Sequence, residues 1–277
     1  MSTVGSIVAP PPKLHPLNRD FRWQDARDDG LRRLGADEVR QFNELGFFVH
    51  RNAFTQAEIA AVTAAIDPLE KATDDFVRDK KGGRHFLSTT GAITFTAHIV
   101  SKSPVLSAFA AHPAIKHICH DLIGDDVRLY WDQSVYKKTQ VPQEFPWHQD
   151  NGYTFIDPQQ YLTLWIPLVD VDEQNGCPWI APGVHRLGTL DHWLTDIGYV
   201  CLGEVPEAVP APARAGDIVV FSSLAPHRTG PNLKADSVRK AYILQYAPEG
   251  AKTTLRTGEV VRQDDPVRQF KILERGA

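Results

Sequence analysis

Cysteine is scarce in this chain. Three cysteines, Cys119, Cys177 and Cys201, stand far apart among the 277 residues. No two of them form a C-x-x-C pair, so the sequence predicts neither a disulfide framework nor a thiolate zinc site. This use of cysteine is typical of a reducing compartment, and we therefore expect a cytoplasmic protein.

The sequence also lacks an excess of positive charge and a long apolar run. Thirty Lys and Arg against 34 Asp and Glu give a net charge of -4, so no general positive field attracts nucleic acid or anionic lipid. No stretch approaches the roughly 18 apolar residues of a membrane span. Prolines at positions 10, 11, 12 and 16 argue against a signal peptide. The sequence predicts a small-molecule substrate, with neither nucleic acid nor membrane as partner, and leaves the oligomeric state open.

Length and composition predict one domain. With 42% hydrophobic and 23% charged residues, the chain can bury a sizeable core, and its length is ordinary for an all-β barrel enzyme with added helices. The domain is expected to span residues 1–277. Its predicted parts are an N-terminal arm at 1–30, a mostly helical part with edge strands at 31–125, a β-core at 126–250 and a C-terminal extension at 251–277.

Apolar spacing predicts helices in the first half of the chain. Residues 36–45 carry apolar side chains at helical spacing and end at Gly46. A second helix is predicted to begin after the N-cap Thr55 and to end at Pro68. The other predictions for this half are a short strand at 47–50 and a helix pair near 104–111 and 113–122.

The second half has the pattern of an antiparallel sheet. Short apolar segments separated by Pro, Gly and Asn recur there without regular helices between them, at 127–136, 161–169, 217–222 and 239–247. Such spacing favours a sandwich or barrel over a parallel sheet. The predicted fold class is therefore mainly β with flanking helices (α+β).

Two candidate metal ligands stand side by side near the middle of the chain. In an extended segment the side chains at i and i+2 point to the same face, so His148 and Asp150 project together while Trp147 and Gln149 turn away. An imidazole and a carboxylate are two of the three ligands in the 2-His-1-carboxylate triad of non-haem Fe(II). Alone, this H-x-D pattern is weak, since it occurs by chance in many proteins.

A second histidine and an arginine follow further along the chain. His227 stands just beyond the apolar segment 217–222, and Arg239 begins the last apolar segment. Because neighbouring strands bring distant residues together, His227 is the candidate third ligand. The planar guanidinium of Arg239 can hold the far carboxylate of a metal-chelated diacid.

The order and spacing of these motifs resemble the phytanoyl-CoA dioxygenase family over roughly residues 47–247. The resemblance implies a double-stranded β-helix, the jelly-roll core of cupins, at 126–250, and dependence on Fe(II) and 2-oxoglutarate, with O2 as the other co-substrate. The matching segments are Trp147-His148-Gln149-Asp150, Leu164-Trp165-Ile166-Pro167-Leu168, Asn175-Gly176-Cys177, Pro182-Gly183-Val184-His185 and the stretch from His227 to Arg239.

The resemblance also implies roles for individual residues. His148, Asp150 and His227 match the iron ligands, and Arg239 matches the arginine that binds the C5 carboxylate of 2-oxoglutarate. A lysine that some relatives place before the first core strand has no clear counterpart in residues 94–98, so the resemblance does not extend to an acyl-CoA substrate. The other positions that match co-substrate contacts are Trp165, Gln133 (where some members have Met) and Thr229.

The implied activity is hydroxylation of an unactivated C–H bond in a small organic molecule of lipid or secondary-metabolite type, with release of succinate and CO2. Related enzymes use the same iron site for desaturation, epimerisation or ring formation. A zinc hydrolase would use the three ligands but not the arginine. A non-catalytic cupin-like protein that binds a metal or a ligand would share the fold. The residues themselves leave these alternatives open.

Some residues around the motifs carry lesser expectations. His185 is predicted to satisfy backbone groups in a turn rather than to bind the metal. The glycine-broken loop at residues 78–84 is predicted to be a mobile lid. Residues predicted to line the substrate cavity are Tyr153, Thr154 and His98.

Overall fold

The computed structural model describes residues 12–277. Residues 1–11 of the predicted N-terminal arm lie outside the described part of the chain. Residues 12–30 form no helix and no strand longer than a single bridge. This segment packs on the domain through Trp23, whose ring centroid lies 5.7 Å from that of Phe42 and 4.4 Å from that of His185.

The helices of the described residues precede most of the sheet. The first, third and fourth α-helices begin and end within one residue of the positions that the sequence predicts. Gly46, which ends the first helix, has φ 84, and a Cβ there would lie 2.6 Å from Nδ1 of His185, so glycine is required on both counts. The α-helices are α1 (Ala36–Leu45), α2 (Gln56–Arg78), α3 (Pro104–Ala110), α4 (Pro113–Leu122) and α5 (Asp150–Tyr153), with 3-10 turns at Lys81–Gly83, Ile99–Lys102 and Val184–Leu187.

The prediction that α2 ends at Pro68 is wrong. The helix begins as predicted, with Thr55 and Glu58 forming a reciprocal capping box, but it continues past the proline. A proline removes one main-chain donor and strains the preceding turn. The buried face of α2 nevertheless runs unbroken from Ile66 to Val77, and packing of that face stabilises the helix across the proline.

The strands reproduce the predicted apolar segments with ends that differ by at most two residues. Those segments are β5, β8, β13 and β15, and the predicted short strand is β1. The strands are β1 (Phe47–His50), β2 (Arg84–His85), β3 (Ser88–Thr89), β4 (Ile93–Ala97), β5 (Val127–Lys137), β6 (Phe145–His148), β7 (Phe155–Asp157), β8 (Leu162–Pro167), β9 (Pro178–Ile180), β10 (Trp193–Thr195), β11 (Gly198–Val200), β12 (Val209–Pro210), β13 (Ile218–Ser222), β14 (His227–Thr229), β15 (Arg239–Pro248), β16 (Lys252–Thr254), β17 (Val260–Arg262) and β18 (Lys271–Leu273).

Two antiparallel sheets form the body of the domain. The main sheet has the order β1-β13-β8-β15-β5-β4-β3-β2, with β18 added to β5. The minor sheet has the order β12-β9-β14-β6. A small three-stranded sheet, β17-β16-β7, joins the C-terminal part of the chain to the segment that follows α5.

The two faces of the main sheet bury different cores. Leu164 and Ile166 of β8 lie in a cluster with residues of α1 to α4. Trp165, between them, faces the other way, because side chains alternate along a strand, and lies in a second cluster with Cys177 and Ile180 beside the minor sheet. The helices therefore cover one face of the main sheet and the minor sheet covers the other, which confirms the mainly β class with flanking helices.

Among residues 12–277, none of the helices combines the length and the apolar character that a membrane span requires.

Candidate metal centre

His148, Asp150 and His227 come together in the fold. In the described part of the chain they form the one group of three or more His, Cys, Asp or Glu side chains whose ligand atoms all lie within 4.8 Å of one another. Oδ1 of Asp150 is 3.8 Å from Nε2 of His148 and 4.0 Å from Nε2 of His227. These separations leave room for an ion slightly more than about 2 Å from each atom, close to the usual length of such bonds.

The segment that carries His148 and Asp150 is anchored by the residue between them. His148 ends β6, Gln149 is extended with φ -104 and ψ 145, and Asp150 begins α5. The predicted extended geometry therefore holds only as far as Gln149, yet both ligands point to one side. The buried amide of Gln149 donates to the carbonyl oxygen of Leu224 at 2.6 Å and accepts from the backbone N–H of Leu190 at 2.6 Å, which holds this bend in place.

The two histidines are oriented by main-chain carbonyls. His227 in β14 stands directly opposite His148 in β6. Nδ1 of His148 donates to the carbonyl of Pro146 at 2.8 Å, and Nδ1 of His227 donates to the carbonyl of Ala225 at 3.1 Å. Each bond leaves the Nε2 lone pair directed at the site, as in metal-bound histidines. Burial lowers the pKa of His148 well below its usual value, so this imidazole stays neutral and able to bind a metal.

Thr163 is a residue of the site that sequence reasoning missed. Its hydroxyl, on β8, donates to Oδ2 of Asp150, which leaves Oδ1 facing the two histidines. The side chain is buried, so the bond is shielded from water. Nothing near the H-x-D motif marks this residue, because the contact joins elements on opposite sides of the site.

We expect Thr163→Val to weaken metal binding by about 10- to 100-fold, the usual cost of losing a hydrogen bond to a metal ligand. The valine keeps the shape of threonine and removes only the donor, so Asp150 loses its fixed orientation. The measurement is an anaerobic Fe(II) titration. Thr163→Ser is the matched control because it retains the hydroxyl and should keep most of the affinity. Equal affinities in wild type and Thr163→Val would contradict the orienting role.

Arg239 is a buried cation that has no anionic partner within residues 12–277. It is 1% exposed, and burial lowers its pKa to about 9. Nη1 donates to the carbonyl of Val135 at 3.1 Å, while Nε has no hydrogen-bond partner among the described residues. The guanidinium carbon lies 5.3 Å from the centroid of the Trp165 ring. A buried charge left in this state is costly, and its free donors suit the second carboxylate of a diacid.

A narrow recess, which we call the inner recess, joins Arg239 to the three candidate metal ligands. It lies between the main and minor sheets. The structure thus brings together every residue that the sequence assigns to the site, while their individual roles stay predictions. Those residues, which all line the inner recess, are His148, Asp150, His227, Arg239, Trp165, Gln133 and Thr229.

Lys137 is a second cation that sequence reasoning missed. It stands directly opposite Arg239 in the antiparallel register of β5 and β15, so the two side chains leave the same face of the main sheet. Its Nζ donates to the carbonyls of Thr229 at 2.9 Å, Gly230 at 2.7 Å and Gln143 at 3.2 Å. Lys137 therefore ties β5 to the end of the strand that carries His227. A lone lysine at the end of an apolar strand gives no sequence signal of such burial.

A wider space, which we call the outer cavity, meets the candidate metal ligands from the other side. Its volume is about 310 Å³, and His148 and Asp150 line both spaces. Tyr153 and Thr154 line the outer cavity as predicted. The prediction for His98 is wrong, because His98 is not among the described residues that line the cavity. Its ring packs 4.3 Å from the ring of Trp131, and Trp131 does line the cavity.

The segment that covers the outer cavity begins just after the predicted lid. Phe86 and Leu87 line the cavity, whereas no residue of 78–84 belongs to its described lining. Arg78 ends α2, and Arg84 begins β2 and donates to the carbonyl of Asp196. The polar loop is therefore a connection beside the cavity, and the apolar residues after it form the wall.

His185 does not belong to the cluster of candidate ligands. Its Nε2 donates to the carbonyl of Asn43, at the end of α1, at 3.2 Å. The prediction that it satisfies a backbone group is thus confirmed. The ring is fully buried, its Nδ1 has no partner among the described residues, and burial lowers its pKa to about 4.

We expect this buried histidine to make the protein sensitive to acid. Below pH 6.5 the unfolded chain binds a proton at His185 that the folded chain does not bind, so stability falls as the pH falls towards 4. Between pH 7 and pH 5 the wild type should lose about 2 kcal/mol more unfolding free energy than His185→Gln. Urea denaturation at the two pH values measures both losses. Equal losses in the two proteins would show that His185 is already protonated in the folded state.

Most of the chain, including all of the candidate site residues, matches one protein family. The family model for phytanoyl-CoA dioxygenase (PhyH) matches residues 42–241. The chain belongs to this family.

It is 26% identical over 159 residues to ectoine dioxygenase of Bordetella bronchiseptica, a match of 55% of this chain and 50% of that protein. It is 24% identical over 274 residues to phytanoyl-CoA dioxygenase domain-containing protein 1 of Rattus norvegicus, a match of 81% and 94%. The chain spans about half the length of the ectoine dioxygenases it matches.

Solved structures of low sequence identity share the fold of this PhyH-family chain. The epimerase SnoN in complex with Fe3+, alpha ketoglutarate and nogalamycin RO has a TM-score of 0.64 at 21% identity, over 78% of this chain and 84% of that one. EctD from S. alaskensis with 2-oxoglutarate and 5-hydroxyectoine has a TM-score of 0.63 at 21% identity, over 87% and 84%. The predicted double-stranded β-helix is thus confirmed.

Proposed function

We propose that this protein is an Fe(II)- and 2-oxoglutarate-dependent dioxygenase. Its reaction would hydroxylate an unactivated C–H bond of a small organic molecule of lipid or secondary-metabolite type, with release of succinate and CO2. One observation carries the proposal: three candidate metal ligands line the same inner recess as a buried arginine that pairs with no anion among the described residues. Membership of the PhyH family supports it.

In this proposal His148, Asp150 and His227 hold the iron, which supplies O2 activation when bound. The two imidazoles present Nε2, and Asp150 offsets half of the charge of Fe(II). Three ligands leave open positions for a chelating co-substrate and for O2. The protein's own contribution is to orient these ligands and to exclude water, which the burial of both histidines and the partial burial of Asp150 favour.

The co-substrate end of the site depends on Arg239. Its guanidinium would bind the C5 carboxylate of 2-oxoglutarate through two parallel hydrogen bonds, and Trp165 would support the guanidinium from below at the observed 5.3 Å. The remaining contacts we assign to the co-substrate are those of Gln133 and Thr229, both of which line the inner recess.

The same site could serve other reactions or functions. Solved structures with TM-scores above 0.6 include an epimerase and a carbocyclase, so epimerisation or ring formation, like desaturation, is an alternative to hydroxylation. A zinc hydrolase would leave Arg239 without a purpose, and the intact set of three candidate metal ligands argues against a non-catalytic cupin-like protein. We also infer a single domain over residues 1–277. We further infer a cytoplasmic location, which the three free, buried cysteines favour.

The test is whether succinate forms as O2 is consumed. Protein loaded with Fe(II) is screened against candidate small molecules in the presence of 2-oxoglutarate, and succinate and O2 are measured together. We expect equal amounts of succinate formed and O2 consumed, and no succinate without iron. Product released without O2 would indicate a hydrolase, and the absence of succinate from protein with bound Fe(II) and 2-oxoglutarate would favour a binding protein.

A further inference from the structure

The described lining of the outer cavity includes a cation, Arg256, that the site described above does not use. We propose that Arg256 binds an anionic group of the substrate, and that the substrate joins this group to a flat ring or another apolar body. This inference rests on the proposed function, because it names the class of molecule that the dioxygenase would accept.

The fold places Arg256 over the mouth of the outer cavity. It lies in the turn between β16 and β17, and β16 pairs with β7, which follows the short helix that begins at Asp150. The small three-stranded sheet thus connects this turn to the candidate metal centre. The guanidinium carbon lies 4.4 Å from the centroid of the Tyr199 ring, and both residues line the cavity.

The walls of the outer cavity are mostly aromatic. Ring faces and edges offer a large apolar contact area with few polar atoms, which suits a flat or apolar molecule of limited size. The volume of about 310 Å³ lies at the small end of ligand sites. The aromatic residues of the lining are Phe86, Phe95, Tyr130, Trp131, Phe145, Tyr153 and Tyr199.

The charged residues of the lining favour a negatively charged group on the substrate. Among the described residues of the lining, the ionised side chains are Asp150 and Arg256. Asp150 is assigned to the metal, so a positively charged substrate would find no carboxylate of its own. Gln133 and Gln245 add neutral amides. Arg256, whose contact here is the ring of Tyr199, keeps its planar donors available for a carboxylate or a similar anion.

Arg256 lies beyond residues 42–241, the part that matches the family model. The C-terminal segment therefore adds a determinant of specificity to an outer cavity whose other described lining residues, apart from Gln245, lie within that match. Because Arg256 is at the exposed rim of the cavity, its effect is expected on substrate binding rather than on the reacting atoms.

A pair of probes that differ only in charge tests this role. Isothermal titration calorimetry compares 2-naphthoate with 2-naphthamide, using protein held anaerobically with Fe(II) and 2-oxoglutarate so that the inner recess is filled. The wild type should bind the carboxylate about tenfold more tightly than the amide, the size of one charge-assisted hydrogen bond at a partly exposed site. Arg256→Gln should abolish this preference and leave the affinity for 2-naphthamide unchanged.

Two further variants serve as controls. Arg256→Lys should retain part of the preference, because lysine keeps the charge without the planar pair of donors. Arg262→Gln, in β17 of the same small sheet and paired with Asp264 at 3.3 Å, should behave as the wild type. The proposal is overturned if the wild type binds both probes equally, if it binds neither, or if Arg256→Gln keeps the preference.

The proposed function is tested separately, by titrating Fe(II) and 2-oxoglutarate without a probe. If that titration fails, the dioxygenase assignment is wrong. The role of Arg256 is then decided by the same comparison of wild type and Arg256→Gln on metal-free protein.

Discussion

Replacing Arg239 by glutamine should raise the concentration of 2-oxoglutarate that gives half-maximal turnover by about two to three decades. A diacid chelated at one end holds its second carboxylate in the inner recess, where little water reaches it. Removing one partner of such a buried pair typically costs about 3–5 kcal/mol, because the other charge is left uncompensated. Fe(II) binding should stay near normal, since Arg239 does not contact the ligands.

The matched control is Arg228→Gln. Arg228 is in β14 next to His227, but its guanidinium packs 5.5 Å and 5.4 Å from the ring centroids of Trp147 and Trp179, and it is not part of the described lining of the inner recess. Its replacement should leave the concentration of 2-oxoglutarate for half-maximal turnover within about twofold of the wild type, because this partly exposed charge lies outside the described lining of the recess. Wild-type affinity in Arg239→Gln would mean that another group holds the carboxylate.

The alanine variants His148→Ala and His227→Ala should abolish stoichiometric metal binding and, with it, turnover. Each removes one of three protein ligands, and the remaining imidazole and carboxylate cannot hold Fe(II) at micromolar concentrations. Wild-type protein should bind about one Fe(II) per chain under anaerobic conditions, as a single triad predicts. Equilibrium dialysis followed by elemental analysis gives the stoichiometry, and succinate formation gives the turnover.

His98→Ala is the control for these variants, because the His98 ring packs 4.3 Å from that of Trp131 and His98 does not line the described part of the outer cavity. It should bind iron as the wild type does. Near-normal turnover in either ligand variant would remove the basis of the metal assignment.

Local patterns were sufficient to predict most of the elements. The capping box at Thr55 and the glycine at Gly46 define helix ends through contacts made within a few residues, so the sequence contains the whole signal. The end of α2 could not be predicted in this way. Whether a helix crosses Pro68 depends on what its buried face packs against, and that is a property of the tertiary structure.

The residues of the candidate site also fall into those that local sequence patterns predict and those that depend on the tertiary structure. The pair His148 and Asp150 is local, and the order of motifs up to Arg239 identifies the family, so the candidate ligands could be predicted. Thr163 and Lys137 act across strands that are distant in sequence. No spacing rule links a threonine in β8 to a carboxylate in α5, or a lysine in β5 to carbonyls after β14, until the register of the sheets is known.

The measurement that tests the central claim most directly is an anaerobic titration followed by visible absorption. A 2-oxoglutarate chelated to Fe(II) produces a charge-transfer band that neither component shows alone, and no substrate is needed to observe it. We predict this band in the wild type only when both are present, its absence in His227→Ala, and its appearance in Arg239→Gln only at much higher 2-oxoglutarate concentration. If wild-type protein with saturating Fe(II) and 2-oxoglutarate shows no such band, the two do not meet in this site and the proposed dioxygenase is wrong.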